Sequence, residues 1–221
     1  MSLITDTDAL ASFCARMRAE RFVAMDTEFM RDRTYFPKLC LVQVAGAEEA
    51  VAIDPLAPGL DLAPLLALLD DTAVLKVMHA ARQDLEIFYH LGHMPRPFFD
   101  TQIAAMVCGF GEEVAYDTLV SKLAGASVDK SSRFTDWARR PLSAAQIQYA
   151  LGDVTHLRVV YERLAARIAK DGRMDWVAEE FEALLDPKLY TLPPEDAWRR
   201  LKLRSRDARF VAVAQALAAW R

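Results

Sequence analysis

Three apolar runs lie within the first 55 residues, and they constrain the fold more than any other feature of the chain. They read RFVAMDTEF, KLCLVQVA and AVAIDP, and turn-forming or charged residues separate them at hairpin-like distances. Their β-branched and alternating character is typical of strands. Because antiparallel strands can be joined by short connections, the runs predict a meander of three antiparallel strands.

Strand and helix patterns alternate after this meander. AVLKVMHA predicts a fourth strand, and RQDLEIFYHLG predicts a helix that ends at Gly92. The Pro-rich loop HMPRPFFDT leads into a brief strand and another helix. A long helix with Ser143 as its N-cap runs to about Asp171 and Gly172. The order of these elements predicts an α/β fold with a mixed sheet layered with helices.

The first predicted strand carries two carboxylates, Asp26 and Glu28. Residues two apart in a strand share a face, so these side chains stand next to each other while Thr27 turns the other way. Adjacent carboxylates in an apolar setting repel each other and lose hydration unless a cation lies between them. The pair is therefore either an ordinary acidic strand end or part of a metal site.

Two further acids occur at helical positions. Asp84 lies at the start of the helix after the fourth strand, where a solvated surface acid is the simplest interpretation. Tyr149 and Asp153 are four residues apart on the long helix, so they point to the same volume. The simplest interpretation there is a tyrosine ring in the core beside an exposed aspartate.

Taken together, the four acids and the tyrosine indicate a chemistry that none of them indicates alone. Carboxylates can hold two divalent hard cations about 4 Å apart, which activate a water and stabilise the leaving oxygen of a phosphodiester displacement. A neighbouring phenol can orient the attacking water by hydrogen bonding. The cations would also relieve the repulsion between the carboxylates.

The motifs DTEF, HAARQD and YALGD, in this order and spacing, resemble the three exonuclease motifs of the DEDD superfamily, in the subgroup with tyrosine in the third motif. Several longer stretches are similar to the ribonuclease D family over nearly all of residues 20 to 165. They are EFMRDRTYFPKLCLVQVA, KVMHAARQDLEIF, FFDTQIAAMVCGFG, VDKSSRFTDWARRPLS and QYALGDVTHL. A joint match of this extent is far more specific than any single motif.

This resemblance implies a ribonuclease-H-like exonuclease fold, with a mixed five-stranded sheet whose first three strands are antiparallel, flanked by helices. It also implies a 3′-5′ exoribonuclease that removes nucleotides from RNA 3′ ends, such as those of tRNA precursors. Two Mg²⁺ or Mn²⁺ ions would be its cofactors. The same motifs fit a 3′-5′ DNA exonuclease acting on single-stranded DNA, or a catalytically silent nucleic-acid-binding protein that keeps the fold.

The resemblance assigns roles residue by residue. The metal ligands would be Asp26, Glu28, Asp84 and Asp153, and Tyr149 would position the water. The substrate-binding residues would be Thr27 through its backbone, His79 in the terminal-nucleotide pocket and Lys130 at a phosphate. A core position for His79 and a solvated one for Lys130 are the alternatives. Gln43 and Trp137 also match the family, and we interpret both as structural.

The C-terminal stretch has a different character. Prolines interrupt PKLYTLPPEDAW, and residues 195–221 carry seven basic residues against three acids, while the whole chain has a net charge of −4. We expect a catalytic domain over residues 1–190, and a linker with the beginning of a truncated helical module over residues 191–221. This second part resembles the opening of the HRDC modules of the ribonuclease D family. Its positive charge fits a place near an RNA backbone or merely a solvated helix.

Composition favours a cytoplasmic protein. Cys14, Cys40 and Cys108 are odd in number and have no CxxC spacing, which is typical of reduced thiols rather than a disulfide framework or a zinc site. The longest apolar patch, near LAPLLALLD, is too short and too interrupted to span a bilayer. We expect no membrane partner and a monomer.

Overall fold

A six-stranded mixed sheet organises the computed structural model, which describes residues 3–129, 131–191 and 193–220. The strands follow one another across the sheet in the order β1-β4-β3-β2-β5-β6. Their bounds are Leu3–Ile4 (β1), Phe22–Met30 (β2), Lys38–Ala45 (β3), Ala50–Ile53 (β4), Leu75–Met78 (β5) and Phe98–Asp100 (β6).

The predicted meander is confirmed, and the predicted number of strands is wrong by one. β2, β3 and β4 pair antiparallel in sequence order, while β5 and β6 join in parallel. The sixth strand is β1, which pairs in parallel with β4 through Leu3 and Ile4. Two residues are too few to show the alternation by which a strand is recognised in a sequence, so the prediction of five strands missed it.

Helices connect the strands of the sheet and continue the chain beyond its last strand. Within the described residues the α-helices are Thr7–Met17 (α1), Ala63–Leu69 (α2), Arg82–His90 (α3), Thr101–Val107 (α4), Tyr116–Leu119 (α5), Ala144–Asp171 (α6), Met174–Leu184 (α7) and Ala208–Trp220 (α8). A π-helical turn spans Val120–Ala124, and 3₁₀ turns span Pro187–Leu189 and Pro194–Arg200.

The long helix α6 has the start and the end that its sequence predicts. The Ser143 hydroxyl accepts a hydrogen bond from the Gln146 backbone N–H, and the Gln146 side chain accepts one from the Ser143 backbone N–H. This reciprocal pair satisfies N–H groups at the helix start. At the other end Gly172 takes a left-handed conformation with φ of 65°.

The packing of α6 determines what faces the middle of the sheet. Ile147 and Ala150 lie in one buried cluster with Leu41 of β3 and with Trp137. Tyr149 packs against this cluster from the same helix. The apolar contacts thus hold the start of α6 across the strand pair that carries the first two acids.

The first turn of α3 lies beside β2, beyond the point where β5 ends. β5 pairs with β2 only over Phe22–Ala24, so Asp26 and Glu28 lie beyond the end of β5. Leu85 and Phe88 of α3 are fully buried, so this face of the helix packs into the core. The Thr27 hydroxyl of β2 donates a hydrogen bond to Asp84 of α3. The first turn of α3, which contains Asp84, therefore lies next to the two acids of β2.

The chain divides into two compact units, one up to Ala183 and the other from Leu184 onward. The second unit contains the two 3₁₀ turns and α8. The domain boundary predicted after residue 190 lies a few residues beyond this division, and the resemblance of residues 191–221 to an HRDC module stays a prediction. Over the described residues no helix is long and apolar enough to cross a bilayer.

Candidate active site

Asp26 and Glu28 lie side by side on β2, on the face that α6 covers. Across the strand pair Asp26 is in register with Gln43, and Glu28 with Leu41. Both acids are partly buried. They share one face because side chains two apart in a strand point to the same side. Gln43 is completely buried, and its side-chain amide has no hydrogen-bond partner among the described residues.

Asp84 is a buried acid and not a solvated one. Only 7% of its surface is exposed, although it lies in the first turn of α3. Its carboxylate accepts a hydrogen bond from the hydroxyl of Thr27, which projects from the opposite face of β2 to that of Asp26. The interpretation of Asp84 as a solvated surface acid is therefore wrong, because its side chain is enclosed between its own helix and β2.

Asp153 completes the cluster from α6. Oxygen atoms of Asp26, Glu28 and Asp153 all lie within 4.8 Å of one another. The Tyr149 side chain, one helical turn before Asp153, is hydrogen-bonded to that carboxylate. Asp84 adds a fourth negative charge, which acts on Asp26 more strongly than that of any other acid. The four predicted acids therefore do converge, although they come from three separate elements.

Burial raises the pKa of every acid in this cluster. The pKa of Glu28 rises to about 9, first through desolvation and then through repulsion by Asp153 and Asp84. Desolvation raises the pKa values of Asp84 and Asp153 to about 7, against hydrogen bonds that favour their ionised forms. For Asp26, desolvation and then the three neighbouring acids raise the pKa well above its usual range. Carboxylates forced together in this way favour a cation between them.

Two tyrosines stay neutral beside the acids. Burial, and then repulsion by Asp153, raises the pKa of Tyr149 above its usual value. Tyr116 behaves in the same way, and its hydroxyl donates a hydrogen bond to the Gly152 carbonyl at 3.2 Å. Both phenols can therefore donate hydrogen bonds at neutral pH, and neither acts there as a base.

The cluster stands where two open clefts meet. The β2 cleft, of about 520 Å³, is lined by residues that include Thr27, Phe29 and Gln83. The Tyr116 cleft, of about 410 Å³, is lined by residues that include Tyr116, His79 and Gln102. The two clefts share four lining residues, which are Asp26, Arg133, Tyr149 and Asp153. A chain lying through both clefts would pass directly over the carboxylates.

The predicted substrate-binding residues have different outcomes. His79 lines the Tyr116 cleft and is partly buried, with its Nδ1 3.0 Å from the Thr101 hydroxyl. Thr27 lines the β2 cleft, and its side chain holds Asp84. Lys130 lies outside the described residues. Contact with substrate stays a prediction for all three.

Three cleft residues escaped the sequence interpretation. Tyr116 reaches the site from α5. Its hydrogen bond to Gly152 is a tertiary contact, and no motif near Tyr116 in the sequence predicts it. Arg133 and Phe134 lie in the VDKSSRFTDWARRPLS stretch, where the only sequence signal for them was an arginine next to an aromatic residue.

Trp137 lines the β2 cleft but is only 2% exposed, and its indole N–H has no described partner.

Known proteins share this fold. Residues 1–169 match the family model described as 3′-5′ exonuclease. The chain belongs to the 3′-5′ exonuclease family.

Ribonucleases D match nearly the whole chain. Ribonuclease D of Acidiphilium cryptum is 60% identical over 220 residues, which are 99% of this chain and 56% of that protein. The crystal structure of Escherichia coli RNase D, an exoribonuclease involved in structured RNA processing, matches with a TM-score of 0.89 at 38% identity. It covers 99% of this chain and 59% of its own. The chain therefore spans less than three-fifths of the length of either relative.

A second solved relative is Brucella melitensis NrnC. Its structure with bound Mg²⁺ matches with a TM-score of 0.71 at 26% identity, and covers 93% of this chain and 96% of its own. Its structure bound to pGG matches with a TM-score of 0.72 at 28% identity, with the same coverage. Both the divalent ion and the short nucleotide chain belong to that protein.

Proposed function

We propose that this chain is a 3′-5′ exoribonuclease, which hydrolyses the last phosphodiester bond at a free RNA 3′ end. The observation that carries the proposal is the group of buried and partly buried carboxylates from β2, α3 and α6 at the junction of two clefts. An exonuclease has to hold the terminal nucleotide on one side of the bond and the rest of the strand on the other. Two clefts that meet at the acids provide both places.

The acids fit two divalent ions, which we propose to be Mg²⁺ or Mn²⁺. The ligands would be Asp26, Glu28, Asp84 and Asp153, a set that consists only of carboxylates and therefore suits hard cations. When bound, such ions supply an activated water and stabilise the leaving oxygen. Related NrnC binds Mg²⁺, which supports this choice. The raised pKa values fit the same function, since the folded chain brings together charges that a cation would neutralise.

The chain's own residues would orient the reactants. Tyr149, neutral and hydrogen-bonded to Asp153, is placed to hold the attacking water by its hydroxyl. Thr27 would hold Asp84 through its side chain while its backbone faces the terminal nucleotide. His79 would line the pocket of that nucleotide, and Lys130 would meet a phosphate as a point charge.

The biological setting of this activity is also a proposal. RNA 3′ ends such as those of tRNA precursors would be the substrate, in line with the RNA processing of the Escherichia coli relative. Three free and buried cysteines, Cys14, Cys40 and Cys108, support a cytoplasmic location. We propose a monomer as the active form.

Substitution of Asp26 by Asn tests the catalytic proposal. Hydrolysis of a 5′-labelled single-stranded RNA in Mg²⁺ or Mn²⁺ should fall by about a thousandfold or more, because several kcal/mol of transition-state stabilisation depend on the ligand charge. The matched control is Asp8→Asn, which changes an exposed acid of α1 and should leave the rate unaltered. Retained hydrolysis in folded Asp26→Asn protein would exclude the proposed site.

Comparison of RNA with DNA tests the choice of substrate. Strands of the same sequence with free 3′ ends should be digested faster as RNA than as DNA, while a 3′-phosphate should block both. Faster digestion of the DNA strand would instead favour a 3′-5′ DNA exonuclease. Binding of either strand with no hydrolysis in Mn²⁺, and no response to EDTA, would favour a silent binding protein.

A further inference from the structure

Phe134 is exposed in a way that the fold itself does not explain. Its side chain is 92% exposed, the highest value among the large apolar side chains described. Phe134 nevertheless lines the β2 cleft, beside acids that the chain holds in a fixed arrangement. A single exposed apolar residue is ordinary, but an exposed ring at the mouth of a charged cleft is a feature of single-strand binding sites.

Arg133 stands next to this ring and at the centre of the site. Its guanidinium carbon lies 5.3 Å from the centroid of the Phe134 ring. Arg133 lines both clefts, and its charge lowers the pKa values of Glu28 and Asp153 against the larger effect of burial. A cation at this point faces the path of any phosphate that bridges the two clefts.

Hydrogen bonds anchor the segment that carries both residues, mainly through residues on the C-terminal side of Phe134. The Thr135 hydroxyl donates to the Ser132 carbonyl at 2.9 Å and accepts from the Gln146 side chain at 3.1 Å. Further along, Arg140 donates to both carboxylate oxygens of Asp54, at 2.6 and 2.7 Å, and to the Cys40 carbonyl at 2.7 Å. The backbone is thus tied to α6 and to the sheet while the Phe134 ring is left in solvent.

We propose that Arg133 and Phe134 form a clamp for single-stranded nucleic acid, in which a nucleobase stacks on the Phe134 ring and Arg133 contacts a phosphate next to the carboxylates. Stacking on aromatic rings and guanidinium planes is how unpaired bases are held in general, and it tolerates any sequence. The proposal rests on the proposed nuclease function and deepens it. The base would belong to the strand beside the reacting bond, because Phe134 lines the β2 cleft alone and Arg133 lines both clefts.

Equilibrium binding tests the clamp without interference from cleavage. The probe is a 5′-fluorescein single-stranded RNA of eight nucleotides, bound to the full chain in the Asp26→Asn background in Mg²⁺. Phe134→Ala should raise the Kd by about 5- to 150-fold, the range expected for loss of one base–aromatic stack. Phe134→Trp should restore binding and Phe134→Leu should not, because stacking requires a ring.

Trp176 provides a matched control. It is an exposed aromatic residue of the same unit, 62% exposed, and the Arg173 guanidinium carbon lies 5.5 Å from its ring. It does not line either cleft. Trp176→Ala should therefore leave the Kd of the RNA unchanged, which separates stacking at the site from a general effect of exposed aromatic–arginine pairs.

Two further measurements locate the base and the phosphate. A series of RNAs carries one abasic residue each, at successive positions. Phe134→Ala should raise the Kd of every RNA in the series except the one that lacks the stacked base. Arg133→Gln should reduce the slope of log Kd against log salt by about 0.7, the value for one phosphate contact on a single strand.

Wild-type affinity in Phe134→Ala for every RNA, or full rescue by Phe134→Leu, would overturn the clamp. Hydrolysis by the unmodified chain is measured separately. Hydrolysis without any Phe134 effect refutes the clamp alone, whereas a Phe134 effect without hydrolysis refutes the nuclease function and leaves a strand-binding site.

Discussion

At the scale of single residues, Tyr149 separates two ways in which the site could prepare a water. Burial and the neighbouring carboxylates raise its pKa, so it keeps its proton throughout the neutral range. A phenol in this state can donate a hydrogen bond to a carboxylate and accept one from a water, but it cannot remove the proton of the water. The role we propose for the tyrosine is therefore to orient the water, with deprotonation left to other groups.

Removal of the Tyr149 hydroxyl measures this contribution. Tyr149→Phe should lower kcat on single-stranded RNA by about 10²-fold, within the range for a positioned hydrogen-bonding group, with little change in KM. Binding of Mn²⁺, followed by titration calorimetry, should persist because the four carboxylates remain. Tyr35→Phe, at a tyrosine that is 47% exposed and lines neither cleft, is the control. An unchanged kcat in Tyr149→Phe would rule out a role of the phenol in the reaction.

At the scale of elements, local patterns predicted what is local and missed what depends on distant contacts. The meander and α6 could be predicted because strand alternation and the Ser143–Gln146 capping pair are patterns of residues close together in the sequence. β1 could not, since its two residues exist as a strand only through β4. The acids were found through short motifs. Tyr116 lies on the short helix α5, and Arg133 and Phe134 lie in a connecting segment, so the positions of all three depend on tertiary contacts.

One such tertiary contact is the ion pair between Arg140 and Asp54, which ties the segment after Phe134 to the end of β4. Asp54 is buried, and the side chain of Arg140 is 25% exposed. Asp54→Ala should lower the free energy of unfolding by about 2–4 kcal/mol, because it leaves a partly buried guanidinium without its carboxylate. Urea denaturation measures this change.

The pair of Arg16 and Glu49 is the control for that measurement. It also has two hydrogen bonds, at 2.6 and 3.0 Å, but its side chains are 55% and 33% exposed. Glu49→Ala should therefore cost no more than about 1 kcal/mol. Asp54→Ala should also weaken RNA binding through the displaced segment, whereas Glu49→Ala should not. Equal costs for the two substitutions would show that the Arg140 pair is no anchor.

At the scale of the whole molecule, the acid cluster connects stability to pH and to divalent ions. Without metal, the folded chain keeps protons on Asp84 and Asp153 up to about pH 7 and on Glu28 up to about pH 9. The unfolded chain releases the same protons near pH 4. Since the folded state binds more protons in this interval, the contribution of the cluster to stability is greatest below pH 4 and declines as the pH rises.

Divalent ions should reverse this trend, because they bind the deprotonated carboxylates and no comparable site exists in the unfolded chain. Mg²⁺ or Mn²⁺ at 100 times its Kd adds about 2.7 kcal/mol to the free energy of unfolding, and the Kd itself should fall as the pH rises. Denaturation from pH 5 to pH 8.5, in EDTA and in saturating metal, should therefore give two curves that diverge with pH. Glu28→Gln removes one acid with a raised pKa and one proposed ligand. In EDTA its free energy of unfolding should therefore depend less on pH, and saturating metal should increase that free energy by less. Parallel curves for the unmodified chain would mean that the cluster takes up ions without releasing protons, contrary to the raised pKa values of its acids.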